Sequence, residues 1–229
     1  MKKIFVMAVA AMMAMNIHAQ VTVDMSQYFQ IPEKTIDLNE PTTVKDGVVF
    51  IGDTRPAEKI QDGKYKGMRV QKQGRFYSIG GKAVKYGNSL SFRRAPQGVS
   101  KDHVVDVNLV PRSCMIQLKP TSDGQFSFCA ITNKDTNNLY VAVVNGTTFR
   151  PLATISYTKG DENYAKKKDS PAEVKTCDYQ YTAGDEVWIY SDGGINLHAF
   201  TFSGQTDKAF TGTDPVATSK QIAKANKKK

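Results

Sequence analysis

Residues 185–204 read "DEVWIYSDGGINLHAFTFSG" and contain two strand-like runs on either side of the polar stretch Ser191–Gly194. Both runs are rich in β-branched and aromatic residues, which favour β-strands. The stretch between them has the Asp and Gly residues of a tight turn. The pattern therefore predicts a β-hairpin that closes an antiparallel β-protein.

The two predicted strands alternate between two faces of different chemistry. The aliphatic face, expected to point into the core, holds Val187, Ile189, Ile195, Leu197 and Ala199. The opposite face holds Trp188, Tyr190, Asn196, His198 and Phe200, and Tyr179 and Tyr181 of the preceding run extend it. Aromatic rings stack on sugars while polar groups bind the hydroxyls. We interpret this face as a candidate ligand-binding surface; the alternative is packing against a loop or a second sheet.

Strand-like runs separated by turn signals recur along the rest of the chain. They lie at 42–52, 67–81, 82–96, 102–111, 114–120, 125–132, 139–145, 148–158 and 173–184. Asn145-Gly146 separates two of these runs and is a strong hairpin signal. We find no helical period between residues 41 and 210. Many short strands without crossover helices predict an all-β antiparallel sandwich or jelly roll.

The flanking segments have different compositions. Residues 20–40 are predicted to be an N-terminal extension with an edge strand, 41–210 the sandwich domain and 211–229 a Lys-rich tail. Residues 215–226 have the composition of a frayed helix. The charged segment 158–175 is interpreted as a mobile loop, because loops of that length are either mobile or functional.

The first 19 residues, "MKKIFVMAVAAMMAMNIHA", have the layout of a secretory signal peptide. A short basic start precedes an apolar run from Ile4 to Met15. That run is shorter than the ~20 residues that a membrane-spanning helix needs. The sequence therefore predicts a secreted or periplasmic protein, not a membrane-spanning one, after removal of 1–19.

The net charge of +9 is concentrated near the C-terminus. Without Lys2 and Lys3 the chain has 29 basic and 22 acidic residues, and without 220–229 as well it has 24 and 22. Such a tail is typically solvated and disordered, and it can contact an anionic envelope surface. The balanced body argues against nucleic acid as a partner.

After residue 19 the chain has three cysteines, Cys114, Cys129 and Cys177. An odd number leaves at least one thiol without an internal partner. One interpretation is that all three are buried packing residues. The alternative is a Cys114–Cys129 disulfide between neighbouring strands.

The sequence lacks the common catalytic and cofactor motifs. It has no nucleophile elbow, no phosphate-binding Gly loop and no zinc-ligand spacing, and only His103 and His198 follow residue 19. We therefore predict no cofactor and no catalytic residues. Asp135, Asn137 and Asn138 offer oxygen ligands for a structural calcium, but an Asx turn is the stronger interpretation.

The pattern in "YQYTAGDEVWIYSDGGINLHAFTFSG", together with "KYGNSLSFRRAPQG", "CMIQL" and "LYVAV", resembles the β-sandwich modules of secreted Bacteroidetes proteins. Those modules occur alone or beside pectate-lyase-type enzymes and resemble galactose-binding-like jelly rolls. The resemblance covers about residues 65–205. It implies a sandwich with a carbohydrate-binding role, and we expect no attached catalytic module.

These observations favour an exported, non-catalytic protein that binds a plant or host glycan. Arg93 and Arg94 are a second candidate site, for acidic sugars, because a guanidinium binds a carboxylate through two hydrogen bonds. Two alternatives stay open: a structural or adhesive envelope protein, and a polysaccharide-degrading enzyme whose paired carboxylates cannot be recognised from spacing alone.

Overall fold

The computed structural model describes residues 21–29, 35–38, 41–52, 68–92 and 110–228, and within them the chain forms two β-sheets and three helices. Apart from one short parallel pair, all strand pairs are antiparallel. The predicted all-β sandwich is confirmed. The predicted strand at 102–111 lies largely outside the described residues.

Sheet A contains β1 (Val21–Asp24), β2 (Thr35–Leu38), β5 (Met68–Ile79), β6 (Lys82–Phe92), β8 (Gly124–Thr132), β11 (Ala172–Glu173), β12 (Lys175–Tyr179) and β14 (Ile195–Phe202). Sheet B contains β3 (Pro41–Lys45), β4 (Val48–Ile51), β7 (Met115–Leu118), β9 (Thr136–Asn145), β10 (Thr148–Thr158) and β13 (Glu186–Ser191). The helices are α1 (Met25–Tyr28), α2 (Lys159–Ala165) and α3 (Pro215–Asn226).

The core lies between the two sheets and is built by alternate residues of each strand. The order of sheet A is β11-β5-β6-β14-β8-β12, with β1 on β14 and β2 on β5, and that of sheet B is β10-β9-β13-β7-β4-β3. Val187 and Ile189 point into this core, as predicted, and meet Phe126, Phe128 and Phe200 from sheet A. Fully burying one such side chain stabilises the fold by roughly 1.5–3 kcal/mol.

The predicted hairpin at 185–204 is wrong, because its two strands belong to different sheets. β13 pairs with β7 and β9 in sheet B. β14 pairs with β6, β8 and β1 in sheet A. Each strand is central in its own sheet, with a neighbour on both edges, and its two faces are buried. Ser191–Gly194 therefore carries the chain from one sheet to the other.

Asp192 fixes this connection to strand β9. Its carboxylate accepts hydrogen bonds from the Asn138 backbone N–H at 2.8 Å, the Asn138 side-chain amide at 2.8 Å and the Tyr140 hydroxyl at 3.0 Å. Burial, together with the negative charge of Asp192, raises the pKa of Tyr140 to about 12. The phenol thus stays protonated and donates to the carboxylate at neutral pH.

A β-bulge changes which residues of β14 face the core. The register with β8 shifts between Leu197 and Ala199. Ala199 therefore packs with Cys129 and Ile131 on the outer face of sheet A, while Phe200 turns inward. The alternation in the sequence had predicted the reverse, with Ala199 facing the core and Phe200 facing outward. One inserted residue reverses the facing of everything after it.

The charged segment 158–175 is not a plain loop, and the prediction of no helix between 41 and 210 is wrong here. It forms α2 and β11, and Glu162, Ala165 and Ala172 are buried. Ala165 and Ala172 pack beside Tyr77 on the outer face of sheet A. The helix is too short to show a period, but its capping box was readable: the Thr158 N–H donates to the Asp161 carboxylate at 2.7 Å.

The two flanks of the predicted domain also join the fold. β1 pairs with β14, so the start of the 20–40 extension is part of sheet A. The expectation of a disordered tail is wrong, because α3 covers the predicted helical segment 215–226 and buries Ile222 against sheet B. None of the helices among the described residues has the length and apolarity of a membrane span.

None of the three cysteines forms a disulfide, and the alternative of a Cys114–Cys129 bridge is wrong. Cys114 lies in the core between the sheets, whereas Cys129 lies on the outer face of sheet A. Sheet A thus separates the two side chains. Burial raises the pKa of Cys129 and of Cys177 to about 12, which keeps both thiols protonated and unreactive at neutral pH.

The Asp192→Ala substitution is expected to lower the free energy of unfolding by about 2 kcal/mol, because the hydrogen-bond donors of Asn138 and Tyr140 lose their acceptor. Urea unfolding of the variant measures this change. The matched control is Asp135→Ala, an exposed position in the turn between β8 and β9. It should change stability by less than about 0.5 kcal/mol. Equal effects of the two substitutions would contradict the role of Asp192.

Candidate functional site

The structure distributes the predicted site residues that it describes over four separate places. Trp188 and Tyr190 lie on the outer face of sheet B. Asn196 and His198 lie on β14 of sheet A, and Tyr179 lies in the core between the sheets. Tyr181 alone is exposed, at 39%. Arg93 and Arg94 lie outside the described residues.

The expectation that the Trp188 and Tyr190 rings face solvent is wrong. Both side chains are fully buried, with exposures of 0% and 1%. Tyr190 stacks on Tyr140 with ring centroids 5.4 Å apart. Phe210 and Ile222 of the C-terminal segment belong to the same apolar cluster. The chain after β14 therefore covers the aromatic face that the alternation pattern correctly placed on the outside of the sheet.

Two polar side chains of sheet B hold this C-terminal cover. Gln117 donates from its amide to the Thr213 carbonyl at 3.0 Å and accepts from the Thr213 N–H at 2.8 Å. Glu186 accepts from the Thr213 hydroxyl at 2.7 Å and from the Trp188 indole N–H at 3.3 Å. Gly212, with φ of 91°, lies so close to Val49 that a Cβ there would be only 2.9 Å from its side chain.

Tyr179 has a structural role. Its hydroxyl donates to the buried Asp185 carboxylate at 3.0 Å, which also accepts from the Asn145 amide at 2.7 Å. Burial, together with this bond to Asp185, raises the pKa of Tyr179 above its ordinary value. Asp185 of the Gly184-Asp185 pair thus links the end of β12 to the β9–β10 hairpin. The presence of this pair in the sequence indicates the fold and does not identify a ligand site.

His198 is held in one neutral tautomer. Its Nε2 lies 3.0 Å from the Gln73 carbonyl oxygen and its Nδ1 lies 2.9 Å from the Tyr77 hydroxyl. Because a carbonyl can only accept, Nε2 carries the proton and Nδ1 accepts from Tyr77. Complete burial and the nearby Arg75 guanidinium lower the His198 pKa to about 3. His198 therefore acts as a fixed polar bridge between β14 and β5.

Arg75 and Glu162 attach α2 to the same region. The guanidinium donates to the Glu162 carboxylate at 3.0 Å and to the Gly74 carbonyl at 2.8 Å. Both side chains are mostly buried. Because a planar guanidinium holds a fixed orientation, this pair fixes the strand segment that includes Gln73 and Tyr77.

Beside His198, four polar side chains form a group that we name the amide cluster: Gln71, Gln73, Ser89 and Asn196. Gln71 and Ser89 are paired across β5 and β6, and their neighbours Val70 and Leu90 enter the core. The cluster therefore lies on the outer face of sheet A. Register across β5, β6 and β14 brings its members together, because Ser89 and Asn196 are distant in sequence from the two glutamines. Only Asn196 was predicted as a site residue.

The amide cluster is partly linked internally. The Ser89 hydroxyl donates to the Gln73 amide oxygen at 2.9 Å. The Gln71 amide nitrogen lies at 3.5 Å from the Gln73 oxygen and 3.4 Å from the Asn196 oxygen, both long distances for a hydrogen bond. Within the described residues, we find no bond to the amide nitrogens of Gln73 and Asn196. Asn196 and Ser89 are buried, with exposures of 6% and 0%, whereas Gln71 and Gln73 are half-buried. The two glutamines therefore present the more accessible amides of the cluster.

Two of the three candidate calcium ligands make side-chain hydrogen bonds within the protein. The Asn137 amide donates to the Thr132 hydroxyl at 2.7 Å, and the Asn138 oxygen accepts from Ser156 at 2.7 Å. Within the described part of the chain, no group of three or more His, Cys, Asp or Glu side chains has the placement of a metal site.

Comparison with known proteins adds no relative. No protein-family model matches the chain, and no curated protein matches its sequence. The resemblance to secreted Bacteroidetes modules thus stays a prediction drawn from the motif pattern. The sandwich that it implied is confirmed by the structure, whereas the carbohydrate-binding role that it implied is untested.

The stability of the protein is expected to fall as the pH decreases from about 6.5 to about 3. Neutral His198 has a folded pKa of about 3, below the unfolded value of about 6.5, so the unfolded chain takes up the proton first. The full effect is at most about 5 kcal/mol. We expect His198→Gln to flatten the dependence of the unfolding free energy on pH within this window. An unchanged slope would contradict a neutral, buried His198.

Gln117→Leu is expected to loosen the C-terminal cover, because the Thr213 N–H and carbonyl lose both partners at a cost of about 2 kcal/mol. Trp188 is the only Trp of the chain, so acrylamide quenching of its fluorescence reports the loosening directly. Quenching should increase in this variant. The control Gln221→Leu, on the exposed side of α3, should leave quenching unchanged, and a response to this control would contradict the clamp.

Proposed function

We propose that this protein is an exported, non-catalytic β-sandwich that binds carbohydrate through the amide cluster on sheet A. The observation that carries the proposal is the group of Gln71, Gln73 and Asn196 beside Ser89 on the outer face of one sheet. Amides donate and accept at once, which suits the neighbouring hydroxyl groups of a sugar ring.

Pre-organisation supports this proposal. Gln73 belongs to the bulged part of β5, where the register with β6 shifts between Lys72 and Arg75. His198 binds its carbonyl and Arg75 is held by Glu162. A backbone held in this way loses little entropy when its side chains bind a ligand. We expect a modest affinity for the glycan, with a dissociation constant of roughly micromolar to millimolar. The reason is that the cluster has few hydrogen-bond donors and no exposed aromatic ring on which a sugar could stack.

The non-catalytic assignment is supported by the hydrogen bonding of His198 and by the protonation of two cysteine thiols. Both nitrogens of His198 are occupied, and the raised pKa values of Cys129 and Cys177 keep their thiols protonated. Export is supported by the signal-like pattern of residues 1–19. Arg93 and Arg94 stay a prediction for acidic sugars.

Attachment to the cell envelope is a second candidate function, as a structural or adhesive protein. One observation favours it: the excess of positive charge in the C-terminal segment lies on a helix that is packed on the sandwich. This function is compatible with carbohydrate binding, because α3 covers sheet B whereas the amide cluster lies on sheet A.

The test is a glycan array with the processed, exported protein and its Gln71→Ala/Gln73→Ala variant. We expect binding to at least one plant or host glycan, weakened roughly tenfold or more in the variant, since each lost hydrogen bond contributes about 0.5–1.5 kcal/mol. The control Gln125→Ala changes an exposed glutamine of the same sheet and should bind normally.

Other results of this array would overturn parts of the proposal. No binding to any glycan would refute the function. Binding that survives the double substitution would refute the site and leave the function in place. Turnover of a bound polysaccharide would establish the enzyme alternative instead.

A further inference from the structure

The exposed face of α3 carries a row of lysines with fixed geometry. Lys220, Lys224 and Lys227 recur at intervals of four and three residues, which places them on one side of a helix. All three are exposed, as is Lys228 just after the helix. We name these four residues the lysine row.

The lysine row points away from the body of the protein. The buried positions of α3 are Pro215, Thr218, Ser219 and Ile222. At 3.6 residues per turn these positions and the lysine row occupy opposite sides of the helix. Arg112 additionally holds the buried side by donating to the Ser219 hydroxyl at 3.0 Å.

No acidic side chain among the described residues forms an ion pair with the lysine row. The ion pairs found among the described residues join Arg75 and Lys166 to Glu162 and Lys175 to Asp161. The row is in none of them. The helix itself has no acidic residue; the nearest along the chain, Asp214, is occupied as its N-cap and accepts from the Val216 and Ala217 N–H groups.

The remaining exposed residues of α3 determine the kind of contact. Ala217, Gln221, Ala223 and Asn226 are small or polar. The apolar side of the helix, with Ile222, is already used against sheet B. An amphipathic helix that enters a bilayer needs a free apolar face. Contact through the lysine row is therefore electrostatic and superficial.

We infer that the lysine row binds the headgroups of anionic phospholipids and holds the protein on a membrane surface. The inference deepens the envelope attachment proposed above and rests on the proposed export. Each lysine near an anionic bilayer contributes about 1 kcal/mol, so several aligned lysines give a useful but reversible affinity. Because α3 is packed on the sandwich, its lysines are held in one row and can reach the membrane surface together.

The test is sedimentation of the processed protein with vesicles of phosphatidylcholine alone or mixed with phosphatidylglycerol. We expect binding only to the mixed vesicles. The binding should weaken strongly between about 0.1 M and about 1 M salt, where the Debye length falls from about 10 Å to about 3 Å. Lys220→Gln/Lys224→Gln/Lys227→Gln should reduce binding roughly fivefold per lysine.

The matched control is Lys82→Gln/Lys167→Gln/Lys168→Gln, which removes the same charge from exposed positions elsewhere. Glutamine preserves helix propensity, and unchanged Trp188 quenching would verify that α3 stays docked. Equal losses in the two triple variants would refute the lysine row as the contact, and no binding of the unaltered protein to mixed vesicles would refute the inference.

Two further measurements separate this inference from the proposed function. Displacement of the vesicles by a soluble acidic polysaccharide, with tighter binding to the polysaccharide, would reassign the row to glycans and overturn the lipid partner. The glycan array with the lysine-row variant should be unchanged, because the amide cluster is on the other sheet. Failure of glycan binding alone therefore leaves the lipid inference intact.

Discussion

The crossing from sheet B to sheet A at Ser191–Gly194 is the constraint on which the arrangement of this protein depends. β13 and β14 are each central in their sheet and buried on both faces, so the position of this connection fixes how the two inner faces meet. Asp192 holds it through three hydrogen bonds to Asn138 and Tyr140. The Phe and aliphatic residues of the core are then aligned between the sheets.

The same crossing determines the chemistry of the two outer faces. The aromatic face of β13 is apolar enough to require a cover, and the chain supplies one in the C-terminal segment held by Gln117 and Glu186. The outer face of β14 is polar near Asn196 and His198, and its bulge allows His198 to bridge to β5. One outer face is therefore covered by the chain itself, whereas the other carries the polar amide cluster.

The C-terminal helix shows how one segment can serve two purposes. Its buried side completes the apolar cluster around Trp188, and its opposite side presents lysines to solvent. Docking removes the apolar side from any contact with a bilayer. Because the apolar side of α3 is packed on sheet B, only its lysine-bearing side can contact a surface. Any such contact is therefore electrostatic.

The sequence by itself determined the strand pattern, the inward aliphatic face of β13 and the hairpin at Asn145-Gly146, because side-chain alternation and turn conformation are local properties. Only the tertiary structure decided that β13 and β14 lie in different sheets, that a bulge at His198 reverses Ala199 and Phe200, and that α3 covers Trp188. It also brought Gln71, Gln73, Ser89 and Asn196 together. These features depend on strand register and on contacts between distant segments, and neither is encoded in the spacing of residues along the chain.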